Sequence, residues 1–129
     1  VHDFGSSMNR AVDLGQVEGG IVQGIGWMTM EEIIYNEEGK LLSNALSTYK
    51  IPDIYAVPKI LDVKFLNTDG NSMAILKSKA VGEPPLMYGI GAYFAIRNAV
   101  LAFNPASDIS YSAPITPEKV LMGLYSNGK

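Results

Sequence analysis

Residues 15–35 read GQVEGGIVQGIGWMTMEEIIY, and the fold turns on whether so glycine-rich a stretch is a helix. Val17, Ile21, Ile25, Met28 and Glu32 recur every three or four residues, and four of these five are apolar, the spacing of one helix face. Against this stand Gly15, Gly19, Gly20, Gly24 and Gly26, each costing about 1 kcal/mol relative to alanine inside a helix. A helix that carries this cost has a use for it: without a Cβ the backbone can approach another element or a ligand closely. The pattern predicts a helix over about 16–35, with close packing or ligand approach as the alternative reasons for its glycines.

Downstream, Asn36-Glu37-Glu38-Gly39-Lys40 is a polar turn, and Leu41 to Tyr49 reads as irregular or short extended chain. Pro52 and Pro58 bracket Asp53 to Val57. Ile60 to Leu66 alternates as a strand would, with Ile60, Val63 and Phe65 against Lys59, Asp62 and Lys64, although Leu61 breaks the period. Asn67-Thr68-Asp69-Gly70-Asn71 closes that strand with turn chemistry, and Ser72 to Ala80 could return beside it. A second helix is expected over 85–103, with Met87, Ile90, Phe94, Ala95 and Ala99 on its apolar face. Thr116-Pro117-Glu118 opens a third over 117–125, with a hydroxyl cap, proline in the first turn and an acid beside it. The expected class is α+β, a single unit over 1–129 with three helices and a small sheet.

Composition narrows the chemistry. The 129 residues are 47% hydrophobic and 18% charged, values of a folded chain. With no cysteine, a disulfide framework, a thiolate metal site and a cysteine nucleophile are excluded, so redox chemistry would come from something bound. The single histidine, His2, lies at the chain end, which argues against a Ser-His-Asp arrangement. A formal charge of −3 with scattered lysines and arginines gives no footprint for nucleic acid. The longest uncharged run, Pro84 to Ile96, is short of the roughly 20 residues that cross a bilayer, so no membrane association is expected. A first residue Val1 and no leader pattern suggest a piece of something longer, while Ser126 to Lys129 reads as a natural tail.

Glu83 is the foremost candidate for chemistry. It follows Gly82 and precedes Pro84 and Pro85, so it is presented from a stiff segment, with Pro84 expected to hold it extended. A general base needs such placement, and an apolar setting from Val81, Leu86 and Met87 would raise its carboxyl pKa. The alternative is an exposed loop glutamate near a helix start. Gln16, flanked by glycines, offers an amide donor and acceptor to a heterocycle or phosphate, or is simply a surface residue. Gly24-Ile25-Gly26 and Gly89-Ile90-Gly91 lack the third glycine of a dinucleotide fingerprint. Glu31, Glu32, Glu37 and Glu38 read as a solvated face rather than a metal cluster. Trp27, Met28, Met30, Tyr93 and Phe94 read as core. Tyr49 and Lys50 could donate hydrogen bonds, though nothing singles them out.

Three blocks in order, Gly15-Gln16-Val17-Glu18-Gly19-Gly20 running on to Val22-Gln23-Gly24-Ile25-Gly26, Ser47-Thr48-Tyr49-Lys50-Ile51-Pro52, and Ser78-Lys79-Ala80-Val81-Gly82-Glu83-Pro84-Pro85, carry a resemblance. Together they resemble the C-terminal part of the molybdopterin-binding subunit in the xanthine dehydrogenase and aldehyde oxidase family of molybdenum hydroxylases. The resemblance implies a cytoplasmic oxidoreductase of the purine-metabolism type, hydroxylating a heterocycle or aldehyde on a molybdopterin cofactor. It places Glu83 on the family's general base, Gln16 beside the pyranopterin, and Gly82 where backbone approaches that cofactor. It assigns no metal ligand to this chain. It further implies, as partners, the N-terminal remainder of the large subunit and the iron–sulfur and flavin (FAD) components, so the isolated chain should be inactive. A non-catalytic scaffolding domain that keeps this fold is the rival reading.

Overall fold

The computed structural model describes residues 1–66 and 73–125. The expected turn at Asn67–Asn71 and the tail Ser126–Lys129 lie outside them. Three helices carry the architecture: α1 (Arg10–Thr29), α2 (Ile90–Phe103) and α3 (Pro117–Tyr125), with a 3₁₀ turn at Pro84–Gly89 leading into α2 and a shorter one at Ile75–Lys77.

The glycine-rich stretch is indeed helical, but the helix is displaced towards the N-terminus. It starts at Arg10 because Asn9 caps it, its Oδ1 accepting from the Val12 N–H at 3.2 Å. It ends at Thr29, where the Met30 and Glu31 N–H groups both donate to the Gly26 carbonyl. Residues 30–35 then leave the helix. The Leu42 N–H donates to the Ile34 carbonyl at 2.8 Å, and Gly39, at φ +78°, closes the polar turn between them.

Among the described residues there is no strand and no sheet, which corrects the α+β expectation. The segment read as a strand does alternate: Leu61, Val63 and Phe65 are partly covered, whereas Ile60, Asp62, Lys64 and Leu66 are exposed. Its backbone, however, makes no hydrogen bond to another described segment. Alternation records which face is covered; a sheet also needs a neighbouring backbone at pairing distance. What covers the inner face is side chains, Phe65 lying edge-on to Phe4 at 5.5 Å and under the Arg10 guanidinium at 4.3 Å. Among the described residues, the backbone of Ser78 to Ala80 likewise pairs through a single antiparallel bridge, Gly5 to Ser78.

The second helix is also divided. Pro84 and Pro85 supply no N–H, and Gly89 lies against the backbone of Gly24, so residues 84–89 wind as a 3₁₀ turn before α2 begins at Ile90. Together Pro84–Phe103 make 20 helical residues whose most apolar 18-residue window has a mean hydropathy of 1.3, enough by length and composition alone to cross a membrane, a test that core helices of soluble proteins also pass. The uncharged run counted in the sequence ends at Ile96, whereas the helix continues through Arg97 to Phe103.

The core is small. Tyr93 and Val100 of α2 meet Ile109, Ile115 and the partly buried Met28, Ile96, Val120 and Leu124. The Ile115 N–H donates to the Met28 carbonyl at 2.7 Å, fastening the segment before α3 onto the end of α1. α3 begins as the sequence indicates, with the Thr116 hydroxyl accepting from the Lys119 N–H at 3.3 Å.

Candidate functional site

The α1 glycines divide by helix face, and this division builds the site. A Cβ at Gly20 would lie 2.9 Å from Pro85 Cβ, and one at Gly24 only 1.9 Å from the Leu86 carbonyl oxygen. One at Gly89 would meet the Gly24 backbone at 2.1 Å. Gly20, Gly24 and Gly89 therefore let the 3₁₀ turn lie directly on α1, burying Pro85 completely. Gly26 has a different neighbour: its Cβ would strike Glu31 Oε1 and Pro52. Gly15 and Gly19, in contrast, have nothing among the described residues within 4 Å of a Cβ, and Gly82 is equally open. Close packing accounts for Gly20, Gly24 and Gly26, and only Gly15 and Gly19 leave a bare helix surface.

Glu83 stands at the start of the turn so clamped. Its backbone is helical (φ −83°, ψ −21°), not extended as the following proline suggested, because it provides the carbonyl that accepts from the Leu86 N–H at 2.8 Å. The side chain is exposed, so the expected apolar enclosure is not provided by the described residues. Gln23 Nε2 donates to Glu83 Oε1 at 3.3 Å. Oε2 has no hydrogen-bond partner among the described residues.

Gln16 lies on the same edge of α1 as Gln23. The two are seven residues apart, nearly two full turns, so they share a face about 10 Å apart along the axis. Gln16 is exposed beside the open Gly15 and Gly19 and makes no hydrogen bond to Glu83 or Gly82 among the described residues. The structure thus joins Glu83 to Gln23 and sets Gln16 further along the same stripe. Gln23 was not singled out by sequence; its signal was the seven-residue spacing from Gln16.

The secondary candidates sort differently from expectation. Glu31 is not on a solvated face: it is 9% exposed, and the Tyr49 hydroxyl donates to its Oε2 at 2.5 Å. That hydrogen bond, followed by loss of solvent, raises the Tyr49 pKa above the usual phenol value. Lys50 pairs with Asp53 at 2.9 Å on the surface. Trp27 and Phe94, expected in the core, are 44% and 47% exposed, whereas Tyr93 is buried. Among the described residues no group of three or more His, Cys, Asp or Glu gathers.

Residues 1–58 match the family model described as the molybdopterin cofactor-binding domain. The chain is 43% identical over 127 residues to the xanthine dehydrogenase/oxidase of Felis catus, covering 93% of this chain. It is likewise 43% identical over 126 residues to aldehyde oxidase 1 of Oryctolagus cuniculus, covering 95%. Nearly the whole chain is thus similar to one stretch of xanthine dehydrogenase and aldehyde oxidase proteins, and its first 58 residues match the molybdopterin cofactor-binding model. Among solved structures, quinoline 2-oxidoreductase from Pseudomonas putida 86 superposes with a TM-score of 0.79 at 32% identity, covering 95% of this chain and 15% of that one. A copper- and molybdenum-containing CO dehydrogenase superposes at 0.75 with 25% identity, covering 95% of this chain and 16% of that one. The chain spans about a tenth of the length of its curated relatives, 10% of the cat protein and 9% of the rabbit one. The matched molybdopterin-binding model contains Gln16 and Gln23 and stops before Glu83.

Proposed function

We propose that this chain forms the carboxylate-bearing part of a molybdenum hydroxylase site, with Glu83 as the general base in hydroxylation of a heterocycle or aldehyde. The observation that carries this reading is Glu83 itself, held by one carboxylate oxygen and open at the other, on a turn seated directly against the molybdopterin-family helix.

The residues fit a bulky cofactor along one edge of α1. Gly15 and Gly19 leave the helix wall bare, Gln16 offers an amide donor and acceptor beside them, and Gly82 exposes backbone with no Cβ in the way. These residues would hold the pterin. The bound molybdenum cofactor supplies the two-electron redox chemistry that a cysteine-free chain lacks. The chain's own contribution is the proton: Glu83 Oε2, without a hydrogen-bond partner among the described residues on an exposed side chain, takes up the proton that the oxygen nucleophile must lose. Meanwhile Oε1 remains tethered, so the carboxylate turns little as it is protonated.

The rest of the subunit and the iron–sulfur and flavin components complete the enzyme in this reading, and the 129 residues alone are inactive. Surface area supports this. The chain exposes 9450 Å², against roughly 6,700 Å² for a self-contained protein of this mass. The excess is on the scale of an obligate interface, and it includes Met87, Phe94 and Phe103 along Pro84–Phe103.

The test is direct. The complete polypeptide, purified, is expected to carry molybdenum and to oxidise members of a panel of N-heterocycles and aldehydes, while the 129-residue chain shows no turnover. A complete polypeptide free of molybdenum and inactive on the whole panel would refute the reading.

A further inference from the structure

We infer that Gln23 is the positioning residue for Glu83: its amide fixes the rotamer of the carboxylate and so aims the free oxygen. This rests on the reading of Glu83 as the base.

Four observations converge. Gln23 Nε2 to Glu83 Oε1, at 3.3 Å, is the one hydrogen bond that the Glu83 carboxylate makes to the described residues. Glu83 is otherwise exposed, with three rotatable bonds to be fixed. Gln23 is partly buried on α1, in the same helical turn as Gly20 and Gly24, which fix the spacing between α1 and the turn carrying Glu83. The anchor and its target are thus tied to two backbones that cannot drift apart independently. Finally, the amide is the right chemistry. Its NH₂ must face the carboxylate, since its carbonyl would set acceptor against acceptor. Being neutral, it orients the base without setting a second charge beside it.

Length matters as well. Asparagine is one methylene shorter and falls out of reach across a spacing already at 3.3 Å. Glutamate would place two carboxylates together and disturb the base rather than orient it.

The experiment uses the holoenzyme and the variant Gln23→Met, which keeps length and apolar bulk but donates no hydrogen bond. Expected are a kcat lower by about 10- to 100-fold, a KM within twofold of the parent and an unchanged molybdenum content. In a Glu83→Gln background the same substitution should bring no further loss, because there is no base left to orient. In a crystal structure of the Gln23→Met holoenzyme, Glu83 should spread over more than one rotamer. A parental kcat for Gln23→Met beside a collapsed Glu83→Gln enzyme would overturn the positioning role and leave the base standing. Turnover retained in Glu83→Gln would instead overturn the base reading, and Glu83 rotamers in the Gln23→Met crystal would then decide the positioning claim by themselves, a single unchanged rotamer refuting it.

Discussion

Replacing Gly24 with alanine probes the contact on which the site is built. The new Cβ would lie 1.9 Å from the Leu86 carbonyl oxygen, 2.8 Å from its carbon and 3.1 Å from the Gly89 nitrogen. Ordinary contact begins near 3.4 Å, so α1 and the Pro84–Gly89 turn must separate by about 1.5 Å. All three obstructing atoms are backbone, and no side chain can swing aside. Overpacking of this kind costs about 1–3 kcal/mol, and the rigid obstruction places it at the upper end. Alanine's better helix propensity returns about 1 kcal/mol, for a net loss of about 2 kcal/mol. Gly19→Ala is the matched control: nothing lies within 4 Å, so the propensity gain of about 1 kcal/mol stands alone. Urea denaturation of the two variants, followed by helical circular dichroism, should therefore show midpoints displaced in opposite directions. In the holoenzyme the displaced turn carries Glu83 with it, and a misplacement above 1 Å should lower kcat by about 100-fold. A Gly24→Ala chain as stable as Gly19→Ala would refute the reasoning.

Three further outcomes follow from the geometry. The Tyr49 phenol, held above its ordinary value by the bond to Glu31, should ionise late in an ultraviolet pH titration, and Glu31→Gln should bring it down. Because the folded-state value is raised, the stability from this bond is complete below about pH 10 and disappears as pH rises through the folded value. The Asp3 carboxyl is held below 3.8, first by the hydrogen bond from Lys79 and then by the Gly5 N–H. Its tether between the chain start and Ser78–Ala80 therefore persists above that value and fails as pH falls through the lowered one. Lys79→Gln should move the Asp3 titration, followed by carboxyl NMR, back towards 3.8. Thr116→Ala removes the cap of α3 and should cost about 1 kcal/mol in urea denaturation, with Thr116→Ser close to the parent.

Local chemistry proved legible wherever one residue type has one use. The Thr116-Pro117-Glu118 start of α3 is a matter of caps and fixed φ, and it folds as read. The helical glycines were recognisable as glycines with a reason, but not which reason belonged to which. Gly24 serves contact with Leu86 and Gly19 serves open space, and both look alike until the turn Pro84–Gly89 is laid against α1. The strand expectation failed because period 2 reports coverage. Leu61, taken as the residue out of phase, faces inwards, and Ile60, 87% exposed, is the one out of place. The backbone of Glu83 escaped prediction for a similar reason: the bias before proline is weaker than one carbonyl captured by the Leu86 N–H. Glu83 and Gln16 were readable as candidates from their neighbours and from the resemblance, whereas Gln23 offered only its seven-residue spacing from Gln16, and its link to Glu83 appeared when residues 60 positions apart were brought together.

The central claim, that Glu83 is the base of this molybdopterin-binding site, is tested most directly by anaerobic single-turnover reduction of the Glu83→Gln holoenzyme with a substrate that the parent oxidises. The amide keeps the shape of the side chain and cannot take up the proton. Molybdenum content should match the parent, and the first-turnover rate should fall more than about 100-fold, close to 3 kcal/mol of transition-state stabilisation. A first-turnover rate near the parent's, at full molybdenum content, would contradict the account.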